Sequence, residues 1–198
     1  MAISLAVLPT LSQIDARQEP DRFKGTLSLG LRLVLVVIIP AAVGLFVLGK
    51  PIIQLIFQHG EFTPQDTQQS WNALRFYLIG LPFSAIDLPL VFAFYAQKRT
   101  VTPVIVGIVA VVIYLIVGPA LAFLLGWGFL GLVVANSVQW TSHALIMLFV
   151  FGRRFQGLRG YGVGMTAIKA LAASLPVAIV GYSSYLLVSY LPLGDGLL

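Results

Sequence analysis

The polar stretch FQHGEFTPQDTQQS, residues 57–70, holds one His, one Glu, one Asp and four Gln in a chain that is otherwise strongly apolar. His, Glu and Asp are the residue types that serve as general acids, general bases and metal ligands. His59, Glu61 and Asp66 are separated by two and five residues, however, and these spacings match no metalloprotease or catalytic-triad pattern. The sequence therefore predicts no reaction centre here.

A structural interpretation accounts for the same stretch. Pro51 begins an apolar segment that fits a short interfacial helix, and Gly60 stands just past its end. Thr63, Pro64 and Asp66 then fit the N-cap, first and third positions of the next helix, since a threonine hydroxyl can accept a backbone N–H and an acid favours the positive helix end. We expect a connector between two helices.

Asp87 is the only acid inside a predicted membrane span. A carboxylate near the bilayer centre costs at least about 2.5 kcal/mol, so its side chain should face a cavity or a partner, or be protonated. Pro82 and Pro89 flank it, and a carboxyl group can also bond to backbone groups that prolines leave free. Ion or proton coupling and structural support of the helix both remain open for this residue.

His143 shares a predicted helix with Asn136 and Gln139, and the spacing i, i+3, i+7 places all three on one helical face. Such a stripe either lines a water-filled path or ties helices together by hydrogen bonds of about 0.6 to 2 kcal/mol each. The tie is the favoured interpretation, because no nucleophile or metal-ligand set accompanies the histidine. We expect no metal and no cofactor.

Composition determines the elements that must position these residues. Hydrophobic residues make up 59% of the chain and charged residues 10%, with a mean hydropathy of +0.96, which excludes an ordinary soluble domain. There is no cysteine, so disulfides and thiol chemistry are excluded. The predicted fold class is all-α, a polytopic membrane helical bundle, with five full spans of about 20 residues or more near residues 30–49, 74–97, 102–124, 129–151 and 166–191.

The basic residues alternate between the connecting loops. Eight Lys or Arg residues occupy the first, third and fifth loops, and two occupy the intervening ones. This alternation places the first, third and fifth loops in the cytoplasm, and it explains the net charge of +5 without a nucleic-acid partner. The eight are Arg17, Arg22, Lys24, Lys98, Arg99, Arg153, Arg154 and Arg159, and the two are Lys50 and Arg75.

Four segments resemble, in order, the C-terminal half of the MurJ/MviN lipid II flippases of the multidrug/oligosaccharidyl-lipid/polysaccharide exporter superfamily. They are VLPTLSQ, GLRLVLVVIIPAAVGLFVLGKPIIQLIFQHGEFTPQDT, FYAQKRTVTPV and GLVVANSV. The resemblance covers nearly all of residues 5–155, and residues 156–198 match only as a later hydrophobic hairpin arm. The combination of G-x-F-x-x-x-D-T with FYA…TP is the specific part of the signature.

This resemblance implies part of a fourteen-helix fold similar to that of multidrug exporters, in the bacterial cytoplasmic membrane. Residues 1–11 would be the end of a truncated helix, 12–28 a cytoplasmic loop, 29–155 the remainder of the C-terminal lobe with four transmembrane helices, and 156–198 a linker plus one helix of the terminal hairpin. The complete protein would move lipid II, an undecaprenyl-pyrophosphate-linked peptidoglycan precursor, by alternating access. The chain is then expected to be an inactive fragment that lacks its N-terminal lobe.

Two further expectations depend on the resemblance. Some relatives bind sodium through an Asn and an Asp one turn apart, but Tyr114 and Gly118 occupy those places here, so no sodium site is implied. Alternatives to the lipid II flippase are a polysaccharide-lipid or multidrug exporter of the same superfamily and a non-transporting helical membrane scaffold. An intramembrane enzyme is the least favoured alternative.

Overall fold

The computed structural model describes residues 2–190, with side-chain surroundings described for residues 7–187. This part of the chain consists of helices and connections, without a strand. Five helical segments are long and apolar enough to cross a membrane, which confirms the predicted number of spans. The end of the last predicted span, at residue 191, lies outside the described residues. The helices are α1 (Ala2–Ser12), α2 (Pro20–Phe57), α3 (Pro64–Ala96), α4 (Val101–Pro119), α5 (Phe129–Phe155) and α6 (Val163–Tyr190).

Helix α2 is much longer than predicted at both ends. It begins at Pro20 rather than near residue 30, because proline fits the first helical turn and Phe23, Leu27 and Leu31 form a fully buried stripe one turn apart. Hydropathy alone placed this charged but amphipathic segment in a loop, and the actual connection between α1 and α2 is residues 13–19.

The separate interfacial helix predicted from Pro51 is wrong. Helix α2 continues through Pro51 to Phe57. An internal proline removes one backbone hydrogen bond, but a membrane bundle can compensate for that loss, and the apolar pattern continues on both sides. Gly49 also keeps this part of the helix close to α3, since a Cβ there would lie only 2.6 Å from the ring of Trp71.

The helices form a chain of neighbours, in which α2 packs against α3 and α6, and α5 packs against α3 and α4. Helix α1 lies on α2 and α3. The main core cluster lies where α1, α2, α3 and α5 meet, and its rings include Phe23, Phe94 and Phe151. This arrangement leaves α3 and α4 with little direct contact, so α5 joins them.

The predicted division between the spans near residues 102–124 and 129–151 is confirmed. Helix α4 ends in a π-helical turn at residues 120–124, and α5 begins at Phe129. Gly126 and Gly128 adopt positive φ angles of 72° and 55°, which glycine allows without steric cost. Gly131 then packs against the π-helical turn, where a Cβ would lie 2.6 Å from the backbone N of Ala122.

Candidate functional site

Asp87 and His143 meet inside the bundle. Oδ1 of Asp87 on α3 lies 2.7 Å from Nδ1 of His143 on α5, although 56 residues separate them along the chain. Their side chains are only 6% and 13% exposed. The sequence singled out both residues separately but did not predict that they pair.

Two arrangements of protons satisfy this contact. With Asp87 ionised, the Nδ1–H of His143 donates to the carboxylate; with Asp87 protonated, its hydroxyl donates to Nδ1. The hydrogen bond therefore survives the gain of one proton. The other ring nitrogen of His143, Nε2, lies beside α4, where a Cβ at Gly107 would be 3.8 Å away. The pair thus sits where α3, α4 and α5 come together.

The hydrogen bond of Asp87 runs to α5 rather than to backbone groups freed by Pro82 or Pro89. Nearby, Ser137 on α5 donates from its hydroxyl to the carbonyl of Phe76 on α3 at 2.9 Å. Gly80 permits this close approach of the two helices, since a Cβ there would lie 3.1 Å from the Cβ of Ser137. Two long-range polar contacts therefore join α3 and α5.

Asn136 and Gln139 lie on the same helix as His143 and are partly buried. Among the described residues, neither side-chain amide takes part in the hydrogen bond between Asp87 and His143. The predicted stripe is present as a helical face, but only its histidine joins the buried pair. Over residues 2–190, no group of three or more His, Cys, Asp or Glu side chains is placed to hold a metal ion.

The connector at residues 58–63 has the predicted helix start. Thr63 is the N-cap of α3 and forms a capping box with Asp66: the threonine hydroxyl accepts from the Asp66 N–H at 3.3 Å, and the carboxylate accepts from the Thr63 N–H at 2.8 Å. Pro64 occupies the first helical position, and Gly60 has a φ of +61° just beyond the end of α2. Thr67, fully buried, donates to Oε1 of Gln58 at 2.9 Å and fixes the two helix ends together.

His59 and Glu61 are exposed on this connector, so the three chemically capable residues of the opening stretch do not converge. Sequence analysis also missed a contact at the opposite end of the bundle. The Gln97 side chain accepts from the Ala16 N–H at 3.1 Å and donates to the Ile14 carbonyl at 2.8 Å. This amide fixes the loop between α1 and α2 against the end of α3.

A protein-family model described as lipid II flippase MurJ matches residues 1–194. The chain belongs to this family. A probable lipid II flippase MurJ of Vibrio cholerae is 36% identical over 70% of this chain, and one of Bdellovibrio bacteriovorus is 28% identical over 90%. The lipid II flippase MurJ of Thermosipho africanus is 31% identical over 75% of the chain.

A solved structure described as lipid II flippase MurJ in an inward closed conformation shares the fold. Its TM-score is 0.72 over 95% of this chain and 42% of that chain, at 24% sequence identity. The present chain spans 26%, 34% and 30% of the three curated relatives' own lengths. It is accordingly a multi-pass protein of the bacterial cytoplasmic membrane from a family of flippases, which are transporters.

Proposed function

We propose that this chain forms part of the C-terminal lobe of a lipid II flippase, which moves the lipid-linked peptidoglycan precursor across the cytoplasmic membrane by alternating access. The match of residues 1–194 to the lipid II flippase family carries the proposal. Five helices able to cross a membrane are consistent with it. The proposed reaction is translocation, and no covalent step is assigned to any residue.

The proposal also assigns each segment of the chain to a part of the lobe. Helix α1 forms the end of one helix of the lobe, residues 13–19 connect on the cytoplasmic side, helices α2 to α5 complete the lobe, and α6 leads into a terminal hairpin. Because the chain spans at most 34% of the curated relatives named above, the substrate path would require an N-terminal lobe that is not among these residues. We infer that lipid II is held between the two lobes.

Within this lobe, we propose that Asp87 and His143 act as a buried tie that keeps α3, α4 and α5 moving as one body. Their short, shielded hydrogen bond and the position of the imidazole beside α4 support this role. Asn136 and Gln139 are partly buried amides on the same helical face, which suits them to line the transport path. No other described residue supplies an acid–histidine contact between helices.

A chimera tests the function directly. The segment of the Vibrio cholerae relative that aligns with this chain is replaced by the corresponding residues of this chain, and the product is expressed in a strain depleted of its lipid II flippase. Growth should be restored, because a part that fits the same lobe preserves the transport path. A chimera that reaches the membrane at normal levels but supports no growth would contradict the proposal.

Two further growth measurements test whether the chain is sufficient alone and what the buried pair does. Residues 1–198 expressed alone should not restore growth, since the rest of the path is missing. In a double variant, Asp87→Asn with His143→Gln, two amides can still form a hydrogen bond between the helices, but neither side chain can gain or lose a proton. If the pair is a tie, this double variant of the chimera grows; loss of growth at normal membrane levels would instead indicate proton exchange.

A further inference from the structure

A large polar cavity lies at one end of the bundle, where α1, α2, α3 and α5 and their connections meet. Its volume is about 810 Å³. The loop between α1 and α2 forms one wall, the end of α3 a second and the end of α5 a third. Phe23 and Phe155 lie at its base, with ring centroids 5.5 Å apart. Gln97 holds the first wall against the second, so the walls are joined by hydrogen bonds within the chain.

The charges that line this cavity are almost all positive. One carboxylate, that of Asp15, faces five cationic side chains, those of Arg17, Lys24, Lys98, Arg99 and Arg154. Asp15 accepts a hydrogen bond from the backbone N–H of Arg17 at 2.8 Å, which engages it within its own loop. Among the described residues, the ion pairs within 4 Å are Arg22 with Glu19 and His143 with Asp87, so none neutralises a cation of the cavity.

Lys24 is the strongest indication of a ligand. Its side chain is only 9% exposed, yet it lines the cavity and forms no ion pair or hydrogen bond with another described residue. Among the described residues, no buried side-chain nitrogen or oxygen lacks a hydrogen-bond partner, so the ammonium nitrogen at the tip of this largely buried side chain reaches the open space of the cavity. An anion in the cavity would provide the missing partner for Lys24 and for the arginines around it.

We propose that this cavity binds a phosphate-bearing anion, with Lys24 and Arg99 as its central contacts. Phosphate oxygens accept several charge-assisted hydrogen bonds at once, and the planar guanidinium of arginine matches two of those oxygens. The volume accommodates a headgroup-sized ligand. Two sources share this chemistry: the headgroup of an anionic membrane lipid, and free phosphate or pyrophosphate. The site is independent of the proposed lipid II transport and concerns only residues of this chain.

The test uses the purified 198-residue chain in neutral detergent and in nanodiscs. Native mass spectrometry measures retention of phosphatidylglycerol against phosphatidylcholine, and equilibrium dialysis measures inorganic phosphate and pyrophosphate. Lys24→Met with Arg99→Gln should weaken binding about tenfold or more, since two charge-assisted contacts are lost. Lys50→Gln with Arg75→Gln removes equal charge at two residues that do not line the cavity, and should leave binding unchanged.

Arg154→Gln provides a second test, because this exposed residue can be changed without disturbing the core. It should weaken binding severalfold even if the Lys24 variant fails to fold. Selective retention of phosphatidylglycerol would identify the lipid headgroup as the source, and binding of phosphate or pyrophosphate alone would identify the soluble one. Absence of binding in both arms, or equal loss in the Lys50 and Arg75 variant, would overturn the proposal.

Discussion

The chain contains two pairs of a histidine and an acid, one close only in sequence and the other close only in space. In the connector at residues 58–63 and the first turn of α3, His59 and Asp66 are close in sequence, but His59 is exposed and Asp66 bonds to Thr63. In the bundle, Asp87 and His143 are distant in sequence but lie 2.7 Å apart with little exposure. The first cluster builds a helix start, whereas the second joins two helices.

This difference shows that the contribution of a polar contact to folding stability depends more on its burial than on the residue types that form it. A hydrogen bond in water replaces one with solvent, so its net contribution is small, while a buried group without its partner carries its full desolvation cost. Removing one member of each contact should therefore give effects of different size. Four substitutions test this ordering.

The largest effect is expected from His143→Ala, which leaves the Asp87 carboxyl buried without its partner. The free energy of unfolding should fall by about 3 to 5 kcal/mol. Reversible unfolding of the purified chain in bicelles measures this, with His59→Ala on the connector as the matched control at less than about 0.5 kcal/mol. If the two substitutions lowered the free energy of unfolding equally, burial of the pair would not explain its contribution.

The next effect concerns the close approach of α3 and α5 beside the buried pair. Gly80→Ala places a methyl group 3.1 Å from the Cβ and 3.2 Å from the Cα of Ser137, so the helices must separate slightly. We expect a loss of about 1 to 3 kcal/mol in the same unfolding measurement. Gly25→Ala is the control, because nothing lies within 4 Å of that position; a similar loss there would show that contact between the helices is not the cause.

Thr63→Ala should have a smaller effect. It removes the hydroxyl of the capping box and leaves the Asp66 N–H to water, at a cost of about 0.5 to 2 kcal/mol. Gln65→Ala, at an exposed position in the same turn, should be close to neutral. Hydrogen exchange at residues 64–67 reports the loss locally. If exchange in this turn is unchanged by Thr63→Ala, the capping box does not stabilise the helix start.

The smallest effect is expected for a contact that is distant in sequence but exposed, which tests whether burial or sequence distance determines its contribution to stability. The Tyr161 hydroxyl donates to Oδ1 of Asp21 at 2.8 Å across 140 residues, but the contact is exposed. This bond raises the pKa of Tyr161 above its ordinary value near 10, so its contribution to stability is present below that pH and disappears as pH rises through the folded pKa.

Tyr161→Phe should therefore change stability little at neutral pH and abolish the small loss that accompanies tyrosine ionisation in alkaline solution. Tyrosinate absorbance and unfolding measured across the alkaline range check this. Tyr182→Phe, an exposed tyrosine on α6, is the control. An effect as large as that of His143→Ala would show that distance along the chain, rather than burial, sets the strength of these contacts.

The sequence was sufficient wherever the cause was local. Thr63, Pro64 and Asp66 predict the start of α3 because all the interacting groups lie within one turn, and hydropathy predicts five spans. It failed for the pairing of Asp87 with His143, since the contact depends on how α3 and α5 are rotated against each other. It also failed for α2, where Pro51 indicated a break that packing against α3 overcomes.

The cationic cavity could not be predicted from the sequence for a different reason. Its arginines and lysines were counted as a signal of membrane orientation, which requires only the side on which they lie. That three separate connections bring them around one space follows from the packing of α1, α2, α3 and α5 and from the bonds of Gln97. A loop-by-loop count contains no information about this convergence.

The length of α2 has a mechanical consequence. Its 38 residues extend about 57 Å, well beyond a hydrocarbon core of about 30 Å. One end carries Lys24 in the cavity, and the other meets the start of α3 through Gln58 and Thr67. If the helix moves as one rod, a tilt of about 10° around its midpoint displaces each end by about 5 Å in opposite directions. In that case α2 would couple a displacement of the cavity wall at Lys24 to a displacement of the opposite sign at the start of α3.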